Sequence, residues 1–207
     1  MQTIGLNAIL LPDETVKQAS IEMSQKLSLK YDVLFTLDGI RYHPHITIYQ
    51  ALYPERNYRI IVDGLREVAS SKKQVGVNMR EIVYYPFSRY SARGFVHWNC
   101  ESNQDLLELQ KRVLDVANPL REGLIPEGLL KMEKRKLVDS EVQSINTTGS
   151  LPYPFHITIT RLRDSRISGW SIPRKKMSFT TNKLYLGRLG DHGTVVEILK
   201  EFPFRVD

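Results

Sequence analysis

Two identical tetrapeptides, His45-Ile46-Thr47-Ile48 and His156-Ile157-Thr158-Ile159, stand 111 residues apart in a 207-residue chain with five histidines. In an extended strand successive side chains point to opposite faces, so a His and a Thr two positions apart share one face and the isoleucines take the other. Each copy is therefore expected to be a strand that buries its isoleucines and presents an imidazole beside a hydroxyl. The flanks repeat too. Tyr42-His43-Pro44-His45 leads into the first copy and Tyr153-Pro154-Phe155-His156 into the second, with a Tyr three residues before each His and a Pro close by. The repetition points to internal duplication, with each half contributing one His-Thr strand.

The rest of the chain supplies elements for such a fold. Residues 4–11 read as a buried strand. Asp13 can cap a helix whose apolar positions Val16, Ala19, Met23 and Leu27 follow helical spacing. After Pro54, residues Tyr58, Ile61, Leu65 and Val68 step by three and four as a second amphipathic helix. Two β-rich runs, 74–85 and 93–100, come next. Ser102-Asn103-Gln104-Asp105 resembles a capping box before a third helix with Leu106, Leu109, Val113 and Val116 inward, stopped by Asn118-Pro119. A long connection covers about 120–152, and the second His-Thr strand runs over 155–161. Alternating runs at 183–189 and 194–201 flank Gly190-Asp191-His192-Gly193, a hairpin turn. The order βαβαββαβββ predicts an α+β protein: one bilobal, pseudo-symmetric domain over 1–207 with two mainly antiparallel sheets flanked by helices around a central cleft.

The pattern of a paired His and Thr has a chemical meaning. A phosphodiester resists attack because its charge repels nucleophiles and its leaving oxygen needs a proton. One imidazole can take a proton from the attacking oxygen and the other can give one to the departing oxygen, each contributing about 10² to 10⁴ in rate. Histidine suits both tasks because its unperturbed pKa is near 6.5. The threonine hydroxyls can hydrogen-bond non-bridging phosphate oxygens as charge develops. Charge bears on the partner: 29 Lys and Arg against 23 Asp and Glu leave +6, a bias toward anionic ligands such as nucleotides and RNA.

On these residues the chain resembles the two-histidine phosphoesterase superfamily, the group of 2'-5' RNA ligase-like proteins and cyclic nucleotide phosphodiesterases, whose signature is one His-x-Thr/Ser-x motif in each half. The resemblance implies a metal-independent phosphodiesterase acting on 2',3'-cyclic phosphates or 2'-linked or cyclic oligonucleotides. It makes His45 and His156 the acid–base pair, with neither role assigned to either residue, and Thr47 and Thr158 the phosphate contacts. Arg161 falls where the ligase-like branch commonly carries Arg after the second motif, and is expected to touch phosphate as well. The first motif instead continues Tyr49-Gln50-Ala51. No metal and no cofactor are expected, and the partner is a nucleotide, oligonucleotide or RNA end.

Other residues admit two readings. Tyr42 and Tyr153 could stack on bases at the cleft mouth or pack in the core. His43 and His45 share a strand face as metal ligands do, which makes a metal-dependent hydrolase one rival. A non-catalytic RNA- or nucleotide-binding module is another. His97, within Phe95-Val96-His97-Trp98, is expected to pack or make a cross-strand contact, and His192 to sit solvated in its turn. Tyr84, Tyr85, Phe87, Arg89, Tyr90 and Arg93 have the composition of a single-strand binding edge, although strand packing explains them as well. Lys131, Lys134, Arg135 and Lys136 read as a solvated helix face. The lone Cys100 excludes an intramolecular disulfide. No run approaches the roughly 20 apolar residues needed to span a bilayer. The expectation is a monomeric cytoplasmic protein with no membrane association.

Overall fold

The computed structural model describes residues 2–85, 94–122, 155–163 and 176–206. Its strands are β1 Thr3–Leu10, β2 Ile46–Pro54, β3 Val75–Tyr85, β4 Phe95–Cys100, β5 His156–Arg161, β6 Met177–Thr181, β7 Lys183–Leu189 and β8 Val195–Pro203, and its helices are α1 Glu14–Ser28, α2 Tyr58–Ser70 and α3 Gln104–Ala117. Asp13 caps α1 by accepting from the Val16 amide at 2.8 Å, and Asn103 caps α3 by accepting from the Leu106 amide at 2.9 Å. The element absent from the sequence expectation is β6. Its Met-Ser-Phe-Thr-Thr run buries only Phe179 and Thr181, and it pairs along one side with β3 at the edge of the sheet, so little apolar periodicity announces it.

All strand pairs are antiparallel, in the order β6-β3-β4-β5-β2-β1-β7-β8. The two His-Thr strands are thus central neighbours. They pair only at Ile46↔Ile157, so the two sheets expected from the sequence are four-stranded halves of one eight-stranded sheet. The helices cover one face. There Ile46, Ile48, Ile157 and Ile159, each at most 1% exposed, join a core with Val16 of α1, Leu65 of α2 and Leu109 of α3. Full burial of such a side chain is worth about 1.5–3 kcal/mol. A one-residue slip of either motif strand would exchange two isoleucines for a His and a Thr, so the register is strongly held. Helices α2 and α3 meet closely at Gly64, where a β-carbon would lie 2.2 Å from Val116 Cγ1.

Both motifs carry the same irregularity. On β2, Tyr49 pairs with Ala8 and Thr47 with Ile9, leaving Ile48 as an extra residue; on β5, Thr160 pairs with Val96 and Thr158 with His97, leaving Ile159 extra. Each tetrapeptide therefore holds a β-bulge at its fourth residue, which shifts the alternation of everything that follows. After the bulges Tyr49 and Thr160 turn into the core, where Tyr49 Oη donates to Asn118 Oδ1 at 2.9 Å and Thr160 Oγ1 donates to the Phe35 carbonyl at 2.6 Å. The next residues, Gln50 and Arg161, return to the face that carries His and Thr.

Candidate active site

His45, Thr47, His156 and Thr158 occupy the sheet face opposite the helices, because each alternates with an isoleucine buried on the helical side. An antiparallel pair centred on Ile46↔Ile157 runs the two His-Thr sets in opposite directions past one another, each His on the side of the other set's Thr. The histidine rings lie near enough that a charge on His156 disfavours one on His45.

The loop before β2 fixes His45. The Asp38 carboxylate accepts from the backbone amides of Ile40, Arg41 and Tyr42 at 2.8, 2.8 and 2.9 Å, and the His43 amide donates to the Val195 carbonyl of β8 at 3.1 Å. His45 Nδ1 then lies 2.7 Å from the His43 carbonyl. A carbonyl only accepts, so Nδ1 carries the hydrogen, and in the neutral ring the lone pair sits on Nε2. Burial pushes the imidazole down to about 4, against the His43 carbonyl and together with the charges of His156 and His43. His45 is a neutral base over the physiological range.

The second half is built differently. Beside Thr47 stands Ile9, fully buried; the equivalent place beside Thr158 is held by His97. The His97 ring stacks on His156 with centroids 3.7 Å apart and planes 9° from parallel, and the rings of Tyr85 and Phe95 close on it at 5.3 and 5.2 Å. Burial holds His97 well below the usual imidazole range, with the charges of His156 and Arg161 acting in the same direction. Asn99 pairs across from His156, and its Nδ2 donates to Tyr85 Oη at 3.3 Å. The Arg161 guanidinium lies 4.1 Å from the centre of the Phe95 ring, and a β-carbon on Gly193 would approach its Nη2 at 4.0 Å, so the β7–β8 turn reaches this half of the site.

Asn7 of β1, fully buried, is a site residue that the sequence reading missed. Its Nδ2 donates to Thr47 Oγ1 at 3.0 Å and to Gln50 Oε1 at 3.3 Å. A hydroxyl that accepts from an amide keeps its own hydrogen to donate elsewhere, so Asn7 leaves Thr47 as a donor toward the site. The only sequence signal was a polar residue in the otherwise apolar run Leu6-Asn7-Ala8-Ile9-Leu10.

Among the remaining expectations, Tyr42 is half-buried against the core, with Phe35 at 5.6 Å on one side and the Arg41 guanidinium at 5.2 Å on another. Tyr153, Phe87, Arg89, Tyr90, Arg93 and the lysine cluster at 131–136 lie outside the described residues, as does nearly all of the 120–152 connection. His43 is pulled below the usual imidazole range by burial, opposed by the Asp38 carboxylate and aided by Lys17. Among the described residues no three His, Cys, Asp or Glu side chains gather as a metal site would require. No helix among them is long and apolar enough to cross a membrane.

The scaffold is thus an antiparallel α+β fold whose two central strands each offer a His-Thr pair to one shared face. Among solved structures, it is similar over 100% of both chains to TT0787 of Thermus thermophilus, at TM-score 0.60 and 18% identity. It is also similar to E. coli LigT: in complex with NADP+ at TM-score 0.54 and 15% identity, covering 99% of this chain and 100% of that one, and in complex with ATP at TM-score 0.53 and 15% identity over 100% of both. The chain has the LigT-like fold, consistent with the resemblance to two-histidine phosphoesterases read from its motifs. No family model matches the sequence, and no curated protein does.

Proposed function

We propose that this protein is a metal-independent phosphodiesterase acting on 2',3'-cyclic phosphates or on 2'-linked or cyclic oligonucleotides, with His45 as general base and His156 as general acid. The observation that carries the reading is the Ile46↔Ile157 pairing, which sets two His-Thr motifs side by side on one face. The assignment of roles rests on their unlike surroundings. His45 is buried, neutral and locked with Nδ1 toward a carbonyl, so Nε2 can take a proton from water or from a ribose hydroxyl. His156 lies in the polar half with Asn99, His97 and Arg161, where the anionic phosphate and a protonated imidazole suit one another. As the oxygen bound by His45 attacks phosphorus, the ribose oxygen departs with the proton of His156. Thr47, oriented by Asn7, and Thr158 donate to non-bridging oxygens, and Arg161 neutralises their charge. The fold shared with LigT, whose complexes hold ATP and NADP+, supports a nucleotide-sized ligand.

The testing experiment is a panel assay in excess chelator, with 2',3'-cyclic mononucleotides, 2'-5' oligoadenylates, cyclic dinucleotides and RNA ending in a cyclic phosphate. Turnover of at least one class, abolished in both His45→Ala and His156→Ala, is expected. Binding of these ligands without turnover would instead favour a nucleotide-binding module. Activity that chelator removes and zinc restores would overturn the mechanism.

A further inference from the structure

The twin motifs differ in what stands beside them, and the difference is a third histidine. His97 is 7% exposed, and its Nε2 is buried without a hydrogen-bond partner among the described residues. Leaving a polar atom so placed is costly, and an apolar residue fills the matching position beside Thr47, namely Ile9. Packing alone thus gives no reason for an imidazole here. What the ring does make is a face-to-face stack on His156 at 3.7 Å and 9°. Two imidazoles in that arrangement cannot both be cations. The Tyr85 and Phe95 rings enclose His97, whereas His156 is half-buried on the open face, so a proton shared between them resides on His156. Titratable or charged groups that face the stack include His45 from the segment before β2, Tyr85 from β3 and Arg161 from β5.

We propose that His97 is a positioning residue for His156: its neutral ring, stacked on the face of His156, fixes the orientation of that imidazole and favours the protonated form that gives its proton to the leaving ribose oxygen. The inference rests on His156 being the general acid. A flat π-system over a cation is attractive, and the contact also removes the rotation by which the ring could turn its acidic nitrogen away from the substrate.

The test compares His97→Ala with His97→Phe, which keeps a flat ring in the same place. In His97→Ala, kcat should fall about 10-fold with little change in KM, and the alkaline limb of kcat, set by loss of the acid's proton, should move down by about 0.5 to 1 pH unit. His97→Phe should restore most of both. Carbon–proton NMR of the histidine rings gives a readout that needs no turnover: the His156 resonances should show the upfield displacement of a stacked ring in wild type and in His97→Phe, and lose it in His97→Ala. If no substrate is turned over by wild type, the acid assignment fails while the NMR arm still decides the stack. A wild-type pH profile and unshifted His156 resonances in His97→Ala would overturn the proposal, as would His97→Phe behaving like His97→Ala. Should His97→Ala fail to fold, His97→Phe against wild type decides: retained pH profile and His156 shift support the stack, and their loss sinks it.

Discussion

Lowering the pH from 7 to 4.5 should weaken the fold through His45 by about 2 kcal/mol. The unfolded chain takes up this proton near the ordinary imidazole value, whereas the buried ring resists it down to about 4. Between those values the unfolded state holds more protons than the folded one. The stability is therefore fully present above the unfolded value and drains away as the pH falls toward the folded one. His97 is shifted the same way and adds to the loss, while Asp38, held below its usual range by three backbone amides although burial opposes them, responds only at lower pH. The clean measurement is a difference. Urea unfolding of wild type and His45→Gln, followed through the buried Trp98, should give stabilities whose gap changes by about 2 kcal/mol between pH 7 and 4.5, or about 1 M in relative midpoint. Titrating groups not coupled to His45 are common to both proteins and cancel; His43 and His156 are the coupled exceptions. A gap that stays constant with pH would show that the fold does not depress the His45 imidazole, and would remove the physical basis for calling it the base.

Further outcomes concern catalysis and packing. His45→Ala and His156→Ala should each lower turnover in chelator by about 10² to 10⁴ with the circular dichroism spectrum unchanged, and activity within tenfold of wild type in either would end the acid–base assignment. Thr47→Val and Thr158→Val should each cost roughly 10- to 150-fold in kcat/KM; Asn7→Leu should cost part of the Thr47 effect and add nothing to Thr47→Val, because Asn7 acts through that hydroxyl. Additive losses in that double mutant would refute the orienting role. Gly64→Ala should destabilise by about 1–3 kcal/mol in thermal unfolding, since its methyl would meet Val116 at the α2–α3 crossing, and Val116→Ala in the same chain should relieve the loss.

Much of this protein was legible one strand at a time. Alternation within His-Ile-Thr-Ile was enough to predict that each copy buries two isoleucines and puts a His and a Thr on the other face. Helical spacing was enough for α1, capped by Asp13 as expected, and for α3, whose cap falls on Asn103 inside the expected Ser102–Asp105 capping box, because these are local facts about dihedral angles and burial. Arg161 marks the limit. Five residues past His156, strict alternation would place it on the isoleucine face; the bulge at Ile159 returns it to the side of the histidines, and the bulge at Ile48 does the same for Gln50. An extra residue is visible only against the partner strand, so no reading of a single strand could supply it. The same holds for Asn7 and His97, which are 40 and 59 residues from the motif atoms they touch. The tetrapeptides are twins in sequence, and composition offers no way to tell the base from the acid. Pairing makes their surroundings unlike, because β1 brings Ile9 to Thr47 while β4 brings His97 to Thr158, and His45 is buried where His156 is only half-buried.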